Sequence, residues 1–496
     1  MAVAENITGR LLVALVTVAT SCAFVLFGYN NGVFSGIIVS PWFLATFANP
    51  PAKTLAIISA IYNLGGFAGS LIAFFVGAKL GRRRTTLGGI VVCIVGALVQ
   101  GVATRLGELI AGRVVCGVGV GVMTSTVGIW QAEITPSRSR GAFLSIQVGT
   151  LAGGLFLAQW INYGFHATTT RVAFAFPVCF QLVFSLVAGL LILFVLPESP
   201  RWLLKQGRRV EAEAVLARML GSRGSRADVA QRLDAIEAVL ALEQQDGQGS
   251  VYRALFSMGP TQNGRRLLLA CGVLVMHQLG GSNSVTYYLP TLTVTFLGVS
   301  HVESLWIAGL SSLASLLFAI VPVLTIDRLG RRVFLWGGCA FQALTFVVVA
   351  VLLAEEEKHP LQKHTFGVAA VVFVFLFYCG YAMTWLAPSW VYPTEVLPLQ
   401  IREKGLALGN VLYWLFQFMI VEITPVALAN IQYRFYIILA VFNFVGGLLV
   451  FFFLPETKGL TLEEMDFYFA KKYGFDVPEG HPLDSKVDHP ETIEHA

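Results

Sequence analysis

The chain reads as a succession of long apolar runs separated by short polar stretches. The runs recur at about 11–37, 54–78, 86–104, 107–132, 141–163, 174–196, 265–291, 303–326, 333–354, 365–393, 405–430 and 432–454. At about 1.5 Å of rise per residue, each can cross roughly 30 Å of hydrocarbon as a helix. Apolar and polar residues do not alternate with a period of two, which argues against barrel strands. The pattern predicts an all-α integral membrane protein with twelve transmembrane helices. Glycines cluster within the runs, at Gly65, Gly66 and Gly69 and again at Gly117, Gly119 and Gly121. Small residues let membrane helices approach closely, where lipid offers no hydrophobic drive for association.

The pattern changes between 197 and 266. Arg208–Leu220 and Asp228–Gln245 read as amphipathic helices with charged faces, separated by a Gly/Ser stretch at 221–225. The expected organisation is therefore a cytoplasmic N-terminus at 1–10, a six-helix bundle at 11–196 and a cytoplasmic helical linker at 197–266. A second six-helix bundle follows at 267–454, then a cytoplasmic tail at 455–496 that is polar and expected to be disordered towards its end.

Composition sharpens this picture. Of 496 residues, 56% are hydrophobic and 13% charged, against about 45–50% and 25% in soluble domains. Mean hydropathy is +0.71. A soluble enzyme, a disordered chain and a fibrous protein are excluded, because this much apolar surface would aggregate in water. Net charge is only +5, and the placement of the basic residues says more. Lys79, Arg82, Arg83 and Arg84 follow the second span, Arg138 and Arg140 the fourth, Arg328, Arg331 and Arg332 the eighth, and Arg402 and Lys404 the tenth. The positive-inside rule then puts both termini in the cytoplasm. The sequon Asn6-Ile7-Thr8 falls on that side and is expected to carry no glycan. The first apolar run is longer than a signal-peptide core and is read as retained. Seven cysteines lie inside apolar stretches without paired spacing, so neither a disulfide framework nor a metal site is expected. No cofactor and no nucleic-acid partner are expected. The glycine runs lie in apolar helices rather than after strands, so they are not nucleotide loops.

The halves repeat. Gly81-Arg-Arg-Arg answers Asp327-Arg-Leu-Gly-Arg-Arg, and Glu133-Ile-Thr-Pro-Ser-Arg-Ser-Arg-Gly answers Glu395-Val-Leu-Pro-Leu-Gln-Ile-Arg-Glu-Lys-Gly. Pro197-Glu-Ser-Pro-Arg answers Pro455-Glu-Thr-Lys-Gly. Each offset is about 250–260 residues. Repeated helical bundles are the mark of a secondary transporter whose two halves rock about a site at mid-bilayer.

Taken in order, these motifs resemble the sugar porter family of the major facilitator superfamily, in a fungal style. Phe27-Gly-Tyr, Gly112-Arg-Val-Val-Cys-Gly-Val-Gly-Val-Gly, Pro197-Glu-Ser-Pro-Arg-Trp-Leu, His277-Gln-Leu-Gly-Gly-Ser-Asn, Trp390-Val-Tyr-Pro-Thr-Glu and Pro455-Glu-Thr-Lys-Gly carry the likeness from about Phe27 to Asp466. The resemblance implies transport of a monosaccharide, hexose or pentose, by alternating access, with no covalent chemistry. The partners it implies are a small-molecule sugar and the lipid bilayer, with protons as an open question. A monomer in the plasma membrane is expected.

Buried amides suit a ring of hydroxyls, because each can both donate and accept. By resemblance Gln278 and Asn283 contact the sugar, with a helix break at Gly280-Gly281 aiming them; the plain alternative is interhelical bonding. Trp390 matches the family's sugar-stacking tryptophan, and Tyr287, Tyr288 and Trp414 read as gate or pocket-wall aromatics. Gln147, His277 and Ser315 complete the expected lining. Several positions depart from the family pattern: His277 stands in place of a first glutamine, and Val148 in place of a sugar-binding glutamine. Ser315, Tyr413 and Gln417 stand where asparagines are common. These changes leave room for a polyol or a sugar acid.

Coupling is read from Asn30, Arg113 and Glu422. Proton-coupled members carry an aspartate where this chain has Asn30, paired with the arginine retained at Arg113. Asparagine does not titrate, so facilitated uniport is expected, with Asn30, a backbone carbonyl or a substrate carboxylate as the partner of Arg113. Proton symport through Glu422 or His277 is the alternative. A non-transporting sugar sensor is a further rival, disfavoured by the short tail. By resemblance Arg82, Arg83, Arg140, Asp327, Arg331, Arg332 and Arg402 pair with Glu133, Glu198, Glu395 and Glu456 in a cytoplasmic latch. The first copy departs from the pattern at Phe74 and Ala78, which predicts a looser N-terminal latch.

Overall fold

The computed structural model describes residues 7–135, 140–221, 225–246, 251–259, 261–398, 400–460 and 462–474. Asn6, Arg138, the side chain of Arg140 and the end of the tail lie outside the described residues. All regular structure among those described is helical. The first half comprises α1 (Gly9–Ile37), a short α2 (Pro41–Thr46), α3 (Ala52–Leu80), α4 (Arg82–Val102), α5 (Leu106–Ile134), α6 (Arg140–Gly164) and α7 (Val172–Phe194). Four short helices follow: α8 (Pro200–Lys205), α9 (Arg209–Leu220), α10 (Arg226–Asp246) and α11 (Val251–Ala254). The second half comprises α12 (Asn263–Leu279), α13 (Ser282–Leu297), α14 (His301–Phe318), α15 (Ile320–Leu329), α16 (Arg331–Lys358), α17 (Lys363–Thr384), α18 (Pro388–Val396), α19 (Arg402–Ile431) and α20 (Arg434–Phe453). A last helix, α21 (Leu462–Lys472), precedes the tail.

Eleven crossings come from helices long and apolar enough to span a membrane. The twelfth is the pair α12 and α13, broken where the sequence expected it. Gly281 adopts φ +85°, and a Cβ there would fall 2.8 Å from Leu439, so the break requires glycine. Two further interruptions were not legible in the runs. The eighth crossing bends at Ala319, with Pro322 in the first turn of α15. The tenth opens between Thr384 and Pro388, where proline cannot continue the hydrogen-bond ladder. The second half is thus segmented where the first is continuous.

The glycine clusters set the spacing inside the first half. A Cβ on Gly117 would lie 2.1 Å from the Tyr62 carbonyl, and one on Gly121 2.2 Å from that of Gly66. Helices α3 and α5 therefore touch backbone to backbone, gaining dispersion contact that lipid cannot replace. The halves meet where α3 packs on α19, α1 on α13, and α6 on α14 and α15. Large apolar side chains such as Val91, Leu98, Leu190 and Phe452 face outward, where lipid tails would meet them.

The linker helices fold on each other through Trp202, Leu203, Ala212 and Val215, and through Leu216, Val229 and Leu233. They anchor to the first bundle where Trp202 Nε1 donates to the Ala78 carbonyl at 2.9 Å. Helix α21 docks under the second half: Met465 and Phe469 join its core, and the buried Arg266 bonds to Asp466.

Replacing Gly117 by alanine should drive α3 and α5 apart and lower thermal stability in detergent by about 1–3 kcal/mol or more. Gly107→Ala, where an added Cβ meets nothing within 4 Å, should leave the unfolding temperature unchanged. Intrinsic fluorescence during heating compares the two.

Candidate solute-binding site

Two small hollows lie between the halves. The central one, about 20 Å³, is lined by Asn31, Leu151 and Leu155 of the first half and by Asn283, Thr286, Ser315, Tyr381 and Tyr413 of the second. The inner one, about 40 Å³, lies towards the end that carries Glu133 and Glu395 and includes Phe24, Ser125, Gln147, Trp390 and Asn410. Trp390 forms the partition: its ring is 4.9 Å from Tyr413 and 5.4 Å from Phe24. Each hollow has room for a few waters at most.

Some of the buried hydrogen-bonding groups without partners among the described residues line these hollows or lie near them. Both amide atoms of Gln147, the Ser315 hydroxyl, Gln278 Nε2, the indole N–H groups of Trp390 and Trp414, and Gln417 Oε1 make no hydrogen bond. Each such group costs about 1–3 kcal/mol when left dry. A polyhydroxylated solute can satisfy donors and acceptors of this kind at once.

The residues singled out from sequence separate into three groups. Ser315 and Asn283 line the central hollow, and Gln147 and Trp390 the inner one. Gln278 lines neither, but the break brings it to Asn283, whose Nδ2 donates to its Oε1 at 2.6 Å. Tyr287 is a closure rather than a wall: its hydroxyl donates to Asn31 Oδ1 at 2.7 Å, and Asn63 Oδ1 lies 3.3 Å away. Tyr288 donates to the Val421 carbonyl at 3.0 Å. Trp414 is packed between Phe27 and Tyr62, away from either hollow. His277 also lines neither; its nitrogens face Ser389 and Tyr381. Asn31, Tyr381 and Asn410 were missed. Asn30 and Asn31 look alike in sequence, and only helix rotation makes one pack and the other line the hollow.

Of the partners expected for Arg113, backbone carbonyls are found and Asn30 is not. Arg113 does not bond Asn30. Its Nε donates to the Ile58 carbonyl at 3.1 Å and Nη2 to that of Ser59 at 2.9 Å. The guanidinium carbon sits 4.1 Å over the Phe34 ring and 4.8 Å over Tyr62, an attraction worth about 2 kcal/mol when desolvated. Asn30 Nδ2 instead donates to Gln181 Oε1 on α7 at 3.0 Å. Backbone carbonyls hold the charge because α3 turns its Ile58–Ser59 stretch towards α5. Glu422 is half-buried on the outer part of α19, and its Oε2 makes no hydrogen bond.

The cytoplasmic latch also has a different chemistry from the one expected. Glu198 accepts from the backbone N–H groups of Arg82 and Arg83 at 2.8 and 3.2 Å. Glu456 does the same for Arg331 and Arg332, at 2.9 Å each. These carboxylates cap the positive ends of α4 and α16 rather than pairing with guanidinium groups. The Arg83 side chain donates to the Ile192 and Leu193 carbonyls, that of Arg332 to Phe451, and that of Arg402 to Leu397. True ion pairs join Arg82 to Glu133 at 3.0 Å and Arg331 to Glu395 and Asp327, both at 2.8 Å. The bridge between halves comes from two residues the sequence had not singled out for it. Glu403 reaches Arg82 at 3.2 Å, and Lys404 bonds to the Phe74 carbonyl while lying over the Phe74 and Tyr252 rings. The N-terminal copy, with Phe74, is thus tied to the second half rather than loosened.

Two helical bundles that enclose unpaired polar groups and bond to each other at both ends define a secondary transporter. The chain belongs to the family described as sugar (and other) transporter, whose model matches residues 15–469. It is similar to the MFS-type transporter oryC of Aspergillus oryzae, 34% identical over 467 residues that cover 94% of this chain and 86% of that one. It is also similar to the sugar transporter STL1 of Saccharomyces cerevisiae, 32% identical over 481 residues covering 94% and 83%. Among solved structures, the proton:xylose symporter XylE bound to 6-bromo-6-deoxy-D-glucose shares the fold. The TM-score is 0.79 at 22% identity, over 92% of this chain and 99% of that one. The protein is a transporter of this family rather than an enzyme.

Glu403→Gln removes one charge of the bridge between halves. It should leave the protein folded and shift it towards a state open to the cytoplasm. Thiol labelling of a cysteine placed at Thr394, which lines the inner hollow, should then quicken several-fold in a background lacking the native cysteines.

Proposed function

We propose that the chain carries a monosaccharide across the plasma membrane as a monomeric facilitative uniporter with cytoplasmic termini. The observation that supports uniport most directly is the setting of Arg113. Its hydrogen bonds go to two backbone carbonyls, and Asn30 bonds to Gln181. A proton-coupled carrier needs a group near its site that changes charge during the cycle, and an Asn30–Gln181 amide pair does not ionise. The unpaired amides and hydroxyls around both hollows support a solute rich in hydroxyl groups. Gln147, Asn283, Ser315 and Trp390 are assigned as its contacts, with Gln278 holding Asn283 in place. Tyr287 is assigned as the outer closure. Arg82 and Arg331, with Glu133, Glu395 and Glu403, are assigned to the cytoplasmic one.

Uptake of a labelled panel of hexoses, pentoses, polyols and sugar acids, in cells lacking their own hexose carriers, tests this reading. The best substrate should equilibrate without accumulating, and a protonophore should leave its initial rate unchanged. Accumulation that collapses with the proton gradient would overturn uniport and make Glu422 the carboxylate to replace next. Preference for a sugar acid over every neutral sugar would overturn the assigned substrate class.

A further inference from the structure

His277 closes α12 beside Gln278, yet it lines neither hollow. Its ring is buried and held edge-on by Tyr381, Trp385 and Tyr413, with centroids 5.5, 6.3 and 5.3 Å away. Both nitrogens are engaged. Nδ1 is 2.5 Å from Ser389 Oγ, and Nε2 is 2.7 Å from the Tyr381 oxygen. Tyr381 in turn lines the central hollow.

A neutral imidazole carries one N–H, so one nitrogen donates and the other accepts. Ser389 decides which. It is fully buried, and His277 is the one hydrogen-bond partner of its hydroxyl among the described residues. A proton on Nδ1 would be spent on the Ser389 oxygen and leave the serine O–H without an acceptor in a dry site, which is costly. A proton on Nε2 satisfies both ring nitrogens and the buried serine, and moves the one unplaced hydrogen to Tyr381, which borders the central hollow. Ser389 then donates to Nδ1, Nε2–H donates to the Tyr381 oxygen, and the Tyr381 O–H is left over. The Ser282 hydroxyl, which has no other partner, lies within hydrogen-bonding reach of the Tyr381 oxygen; its own O–H needs an acceptor there, which leaves the Tyr381 O–H for the hollow.

We propose that His277 is a positioning residue that acts through Tyr381: it fixes the tyrosine hydroxyl as a hydrogen-bond donor into the central hollow. The transported solute must then present an acceptor at that point. This rests on the reading of the protein as a monosaccharide carrier. It assigns to Tyr381 the contact that the sequence assigned to His277.

Two measurements on the full-length protein test it. The first is nitrogen NMR of the reconstituted protein labelled at histidine. The chain has eight histidines, and loss of one signal in His277→Asn identifies the right one. Protonated Nε2 with unprotonated Nδ1 is expected, and a proton on Nδ1 would overturn the proposal. The second is flux of deoxy and fluoro analogues of the transported sugar. At one ring position the deoxy analogue should raise KM roughly fivefold to tenfold, while the fluoro analogue, which still accepts, stays close to the parent. Tyr381→Phe should erase that difference, and adding His277→Ala to it should change nothing more. Full discrimination retained by Tyr381→Phe at every position sinks the idea. Absence of any monosaccharide flux in the parent protein sinks the sugar reading instead, and the tautomer measurement still decides the hydrogen-bond order.

Discussion

Inside a bilayer, a polar group finds its partner within the protein or goes without. That constraint organises this molecule. Many buried polar side chains are spent on the helices that carry them: Thr86, Thr124, Thr126 and Thr293 all bond back to a carbonyl one turn earlier. Others tie helices together, as Thr20 and Gln131 do between α1 and α5. Among those left unpaired, Gln147, Ser315 and Trp390 border the hollows between the halves. A protein that had only to be stable would not keep Gln147 fully buried with both amide atoms unbonded. In the proposed reading, a solute satisfies such groups during each cycle.

The contacts within a half and those between halves differ in kind. Inside the first half, glycines bring α3 and α5 to backbone contact, and nothing slides without a steric clash. Between halves the contacts are long side chains: Arg82 with Glu403, Lys404 with the Phe74 carbonyl, Tyr287 with Asn31. These can separate by rotating a few side-chain torsions, at a cost of a few hydrogen bonds at each end. Rigid bundles joined by breakable polar bonds are what alternating access requires. The segmented crossings of the second half, at Gly280-Gly281 and before Pro388, lie next to the site, where a bend can be absorbed without unpacking a bundle.

Arg113 shows how a buried charge is kept without a counter-ion. Two carbonyl oxygens and two aromatic faces surround it. Carbonyl dipoles and ring quadrupoles stabilise a cation without adding a group that titrates. The second-half counterpart of this economy is His277, whose two nitrogens are both consumed by neighbours.

Much of this was written in the sequence. Twelve apolar runs, a charged linker, the repeated basic motifs and the glycine clusters determined the helical fold, its two halves and the break in the seventh crossing. They did so because hydrocarbon thickness and backbone satisfaction act on local sequence alone. Gln147, Asn283, Ser315 and Trp390 were expected as lining through the resemblance to sugar porters rather than from spacing, and they border the two hollows. The partners were not legible. That Arg113 turns to Ile58 and Ser59 rather than Asn30, that Glu198 and Glu456 cap helix ends, and that Glu403 and Lys404 bridge the halves all depend on helix rotation and tilt. Those are fixed by packing among residues far apart in the chain, and a rotation of one residue's angle exchanges a lining side chain for a packed one. The tertiary structure alone decided which polar groups are spent and which remain for the solute.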